Sequence, residues 1–184
     1  VAAFKIGMLG SVENAQAIYT ILQDYPQLPL VLDPILASGG GTQLGAENLP
    51  AAINTLLLPR TSVLTPNSLE ARALAPEADT LEACALALLD KGAGHVLLTG
   101  THENTRHVVN TLYAGHRRLE AFTWERLPYS YHGSGCTLAS ACATRLAHGD
   151  DLDTAVAEAQ AFTWHALDAA DQVGGGQRLP WRRA

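Results

Sequence analysis

Cysteine is scarce in this chain: Cys84, Cys136 and Cys142 are the only three in 184 residues. The number is odd and no C-x-x-C pair occurs. That speaks against a disulfide framework and a thiolate zinc site, and fits a reducing, cytoplasmic setting. Long apolar runs are missing too. None approaches the ~18 residues of a membrane span, and no charged-then-apolar leader opens the chain. Positive charge is limited, with 12 Lys and Arg against 18 Asp and Glu and a net charge of −6. That balance argues against nucleic acid or an anionic membrane as the main partner. It leaves room for a phosphate site built from backbone N–H groups and a metal ion. Two phosphate signatures are absent: no GxxxxGK[ST] loop occurs, and no GxGxxG follows a first strand.

Apolar residues make up 47% of the chain and charged residues 16%. This is the balance of a compact, well-buried protein, and the length suits a single domain. No internal repeat and no interdomain linker interrupts it. The chain opens on the strand-like VAAFKIGML, with no initiator Met and no polar lead-in, so a missing upstream segment is expected.

Apolar runs at 3–9, 28–34, 61–66 and 95–100 read as strands. Helices are expected over 11–25, 46–58, 67–75, 80–92, 135–148 and 152–170. Pro50 marks a break or a first turn in the second of these. RHVVNTLYAG and HRRLEAFTWERL, within 106–127, read as two antiparallel strands around an Ala-Gly-His turn. SGGGTQLG (38–45) is a loop, and a Gly-rich tail, QVGGGQRLPWRRA, ends the chain. Such alternation predicts an α/β domain with a mostly parallel sheet, in which ligands bind beyond the carboxyl ends of the strands.

Four segments lie at those ends. Asp33-Pro34 is either a strand-terminating turn or a carboxylate aimed at a metal or a phosphate. In TPNSLE (65–70), Asn67 and Glu70 have the spacing of a capping box, which needs no ligand. The same spacing puts an amide and a carboxylate on one helical face, where they could hold a hydrated Mg²⁺ beside phosphates. TGTHEN (99–104) is either a polar turn or a phosphate-side loop. HGSGC (132–136) runs into an alanine-rich helix. Ser134 there could be an N-cap and Cys136 a small buried residue. Alternatively the glycines let the backbone approach an anion at a helix N-terminus, whose dipole would favour a Cys136 thiolate. A hydrolase pairing Cys136 with His132, in the same tight loop, has poor nucleophile–base geometry.

Taken in order, IGMLGS, VLDPILASGGG, VLTPNSLEA, VLLTGTHE and HGSGCTLASA resemble the ribokinase-like superfamily. More closely, they resemble the hydroxymethylpyrimidine/phosphomethylpyrimidine kinases of thiamine synthesis, from about residue 3 to residue 176. The resemblance implies a ribokinase-like α/β fold, a mostly parallel sheet flanked by helices with a β-hairpin on the nucleotide side. Residues 1–184 would be the C-terminal two-thirds of one kinase domain, with its first strands missing. It implies transfer of the ATP γ-phosphoryl group to 4-amino-5-hydroxymethyl-2-methylpyrimidine and then to its monophosphate. ATP and Mg²⁺ would be the cofactors, and the full-length form a homodimer.

By the same likeness Gly133, Ser134, Gly135 and Cys136 would cradle the phosphoryl group in transit, with Cys136 where related sugar kinases carry a catalytic Asp. Asp33, Asn67, Glu70, Thr99 and Gly100 would serve the nucleotide, Asp33 and Glu70 holding the metal through water. The chain departs from the family in lacking the GSDxxGGAG-type segment that helps hold the pyrimidine. It also reads ASGGGTQL after Asp33, where a Lys is often seen. The competing readings are a pyridoxal kinase and a catalytically incompetent nucleotide-binding fragment.

Overall fold

Four short apolar runs line up side by side and form the middle of the molecule. A computed structural model of the chain describes residues 1–37 and 47–182; the loop expected at 38–45 lies outside the described residues. The strands are β1 (Phe4–Ile6), β2 (Leu30–Leu32), β3 (Val63–Leu64) and β4 (His95–Leu98), all parallel. β5 (His107–Ala114) and β6 (Arg117–Glu125) extend the sheet as an antiparallel hairpin, in the order β1-β2-β3-β4-β5-β6. Gly115 and His116 connect the two strands, at φ +55° and +57°. Two left-handed residues in a two-residue loop suit the twist of a hairpin.

The helices are α1 (Val12–Gln23), α2 (Leu49–Ala52), α3 (Ser68–Leu74), α4 (Leu81–Asp90), α5 (Ser134–Ala147) and α6 (Leu152–Asp168). Side chains alternate across the parallel strands and divide the core in two. Leu30, Leu32, Leu64, Val96 and Leu98 pack with α1–α4, whereas Val31, Val63 and Leu97 pack under α5 and α6. Strands buried on both faces read as continuous apolar runs, as these do. The helix expected over 46–58 is shorter. Pro50 stands in the first turn of α2, where its missing N–H is not needed. After Ala52 the chain continues as a wide π turn (Ile53–Leu57) and a tight turn (Leu58–Arg60) around Pro59. Among the described residues no helix is long and apolar enough to cross a membrane.

Candidate active site

The carboxyl ends of the parallel strands face the start of α5. Gly133 opens that helix at φ +84°, a left-handed conformation that favours glycine. Its carbonyl accepts the first helical hydrogen bond, from Thr137 N at 2.9 Å. The amides of Ser134, Gly135 and Cys136 come before that bond and have no partner inside the helix. The N-cap is Gly133 and not Ser134, and no side chain caps the turn. Uncapped N–H dipoles at a helix start attract anions.

Asp33, directly after β2, lies against this turn. A Cβ on Gly135 would stand 3.8 Å from both of its carboxylate oxygens. Asp33 is only 4% exposed, and its Oδ2 has no hydrogen-bond partner among the described residues. Lys5 Nζ, reaching over from β1, lies 3.8 Å from that oxygen. The Cys136 thiol faces the same carboxylate. Burial raises the Asp33 pKa, against the pull of Lys5 and the thiol.

Cys136 is not the thiolate that a helix mouth would favour. Burial raises its pKa, the Asp33 charge raises it further, and the opposing charges of Lys5 and Arg182 do not prevail. The helix dipole loses to desolvation and a carboxylate at close range. Those same neighbours, rather than His132, are the charged groups that act on the thiol.

Asn67 and Glu70 form the capping box in full. Asn67 Oδ1 accepts from Leu69 N and Glu70 N, each at 2.9 Å, and Glu70 Oε2 accepts from Asn67 N at 2.9 Å. Even so, Glu70 is buried and its pKa is pushed up to about 7, chiefly by burial, with the Asp33 charge adding to it. Two oxygen acids that disfavour each other's charge mark a place where a cation would be welcome. Thr99 and Gly100 form a close structural corner. Thr99 N donates to Pro66 O at 2.9 Å and Gly100 N to Asn110 Oδ1 at 3.1 Å. Their amides are therefore turned into the protein. A Cβ on Gly100 would come within 2.2 Å of Val109 O, so nothing larger than glycine fits.

Sequence reasoning passed over Lys5, Arg126 and Arg182. Lys5 did carry a signal, as the lone charge in the apolar run AFKIGML. Arg126 donates to the carbonyls of Thr105, Thr101 and Glu103 at 2.8–2.9 Å and so clamps the loop after Gly100. Nothing in its local sequence announces this.

A family model described as phosphomethylpyrimidine kinase matches residues 1–181. The chain belongs to this family. It is 34% identical to the thiamine biosynthesis bifunctional protein ThiED of Geobacter sulfurreducens, covering 94% of the chain and 36% of that protein. It is 33% identical to the hydroxymethylpyrimidine/phosphomethylpyrimidine kinase of Haemophilus influenzae, covering 96% of the chain and 68% of that protein. The chain thus spans about a third of the first relative and about two thirds of the second. Among solved structures, the Staphylococcus aureus pyridoxal kinase in complex with ADP superposes with a TM-score of 0.89 at 26% identity, over 98% of the chain and 67–68% of kinase chains from that enzyme. The fold of this phosphomethylpyrimidine kinase family member is accordingly ribokinase-like. The segments that the resemblance singled out lie near one another in the fold: Asp33 after β2, Asn67 and Glu70 after β3, and the turn that opens α5.

Proposed function

We propose that the chain carries the phosphoryl-transfer part of an ATP-dependent kinase. Its substrate is 4-amino-5-hydroxymethyl-2-methylpyrimidine, followed by the resulting monophosphate. The observation that carries this reading is the meeting of the uncapped first turn of α5 with the buried Asp33. Family membership and the relatives' printed activity support the pyrimidine as substrate.

The amides of Ser134, Gly135 and Cys136 would accept the oxygens of the γ-phosphoryl group. Phosphoryl transfer runs largely through positioning and charge stabilisation, so donors fixed in advance are what the reaction needs. Cys136, held as a thiol beside Asp33, orients the substrate hydroxyl rather than deprotonating it beforehand. Base strength counts for little when the transition state is loose. Asp33 and Glu70 fit a hard divalent cation. Both are buried carboxylates, and Oδ2 of Asp33 lacks a hydrogen bond. Among the described residues no group of three or more His, Cys, Asp or Glu could hold a metal without help. Mg²⁺ commonly takes one or two carboxylates and completes its shell with water and phosphate. Bound there, it would neutralise the charge of the nucleotide phosphates.

A pyridoxal kinase is the second reading, favoured by the closeness of the S. aureus structure. The Gly-Ser-Gly-Cys turn leans towards the pyrimidine. Incubating the chain with Mg·ATP and either compound, and following the products by phosphorus NMR, decides between them. The expected result is a pyrimidine monoester that goes on to a diphosphate. Phosphorylation of pyridoxal alone would select the second reading, and nucleotide binding with no product from either would sink both.

A further inference from the structure

The C-terminal tail comes back to the active site. Asp171 and Leu179 exchange backbone hydrogen bonds at 3.1 and 2.9 Å, and Trp181 N donates to Ala166 O at 2.7 Å. Arg178 N donates to Ser130 O at 2.9 Å, and His132 N donates to Arg178 O at 3.0 Å. The Arg178 guanidinium lies 3.4 Å from the centre of the Tyr129 ring. These contacts strap the tail to residues 129–132, just ahead of the turn that opens α5.

The strap delivers Arg182 to that turn. Arg182 Nε donates to Thr137 Oγ1 at 2.9 Å. The Thr137 hydroxyl directs its own proton to the Gly133 carbonyl at 2.8 Å, so a lone pair is what it offers the arginine. Nη2 lies over Gly133, where a Cβ would come within 2.8 Å of it. The guanidinium is thus held through Nε, with Nη2 near Gly133, while Nη1 and Nη2 make no hydrogen bond among the described residues. Arg182 lines a cleft of about 570 Å³ together with Cys136, Ser140 and Glu158. On another side of the same turn stands Asp33, buried and with Oδ2 unsatisfied. Uncapped amides beside a guanidinium edge and a buried carboxylate, itself 3.8 Å from Lys5 Nζ, suit a phosphoryl group travelling with a divalent cation. They suit a bare anion or a bare cation less well.

We propose that Arg182 is a phosphate ligand: Nη1 and Nη2 take the terminal phosphoryl group at the mouth of α5 while it is in transit from the nucleotide. The proposal rests on the kinase reading above. A planar fork of donors matches two oxygens of a phosphoryl group, and a lysine head cannot reproduce it. Such a contact strengthens as charge spreads over those oxygens in the transition state.

The test compares the unaltered chain with Arg182→Gln, an exposed-tail substitution that leaves both core clusters untouched. Calorimetry with Mg²⁺ and a non-hydrolysable ATP analogue should show a loss of about ten- to hundredfold in affinity, the scale of a charged hydrogen bond. Binding of Mg·ADP should be unchanged. Turnover should fall by a similar factor with the unphosphorylated pyrimidine and with its monophosphate. Arg182→Lys should recover part of the loss. Equal losses for ADP and the triphosphate analogue would overturn the proposal, because Arg182 would then act on other phosphates or only brace the tail. A loss confined to the phosphorylated pyrimidine would overturn it too, by assigning Arg182 to the substrate's own phosphate. If Arg182→Gln binds and turns over like the unaltered chain, the proposal falls and the kinase reading stands. If the unaltered chain binds neither nucleotide, both fall together.

Discussion

At the scale of single residues, the site is built from acids whose pKa values burial raises. Glu70 shows this best, because it has two occupations. As a cap it needs only an acceptor oxygen, and Gln would serve α3 equally well. As a buried carboxylate it titrates at about 7, against 4.5 in the open chain. The folded protein therefore holds the Glu70 proton more tightly than the unfolded chain does. Its contribution to stability is complete below 4.5 and is lost as pH rises through 7. Asp33 shifts in the same direction. Urea unfolding without Mg²⁺ should show stability falling between pH 5 and pH 8, by about 3 kcal/mol from Glu70 alone. Glu70→Gln should flatten that slope, stabilise the protein at pH 8, and raise the Mg²⁺ concentration needed for turnover. A Gln variant weaker than its parent at pH 8 would show that the carboxylate is there for α3 and not for a ligand.

At the scale of elements, the legible parts were those governed by local chemistry. Asn67 and Glu70 declared a capping box by spacing, and Ala-Gly-His declared the hairpin. The start of α5 was legible to within a residue, although its cap proved to be the left-handed Gly133. Long-range contacts were not legible. Burial, and then the Asp33 carboxylate 103 positions away in sequence, raise the pKa of the Cys136 thiol, and no local pattern carries that. Arg126 is a second case, since it closes the loop at 101–105 from the far end of the hairpin. This loop stands at the end of β4, on the side that the resemblance gives to the nucleotide. Its backbone carbonyls are ordered by one guanidinium. Arg126→Ala should loosen the loop and raise KM for ATP severalfold, leaving kcat and the KM for the pyrimidine unchanged in steady-state assays. A fall in kcat at constant KM would place the loop against the reacting groups instead.

At the scale of the whole molecule, the continuous apolar runs marked the parallel strands as buried, but not which face of the sheet seats the chemistry. The structure separates the two. Leu88 is fully buried among α1–α4, and Leu138 lies in the cluster that fastens α5 to Val31, Val63 and Leu97. Leu138 is also two positions beyond Cys136 in the same helix. Truncating either to Ala removes comparable apolar volume, with expected losses of about 2–5 kcal/mol in unfolding free energy. Their effects on the reaction should differ. Leu88→Ala should lower kcat per folded molecule less, because the helices it loosens carry none of the phosphate donors, only Glu70 of the cation site. Leu138→Ala should lower kcat with little change in nucleotide affinity. A first turn displaced by a fraction of an ångström still meets a phosphate, yet no longer meets the transition state squarely. Denaturant midpoints would give the folded fraction, and single-turnover rates would be normalised to it. Equal losses of rate from the two substitutions would mean that the donors are not seated by the α5 face, and that the sheet with both its helical layers moves as one body during transfer.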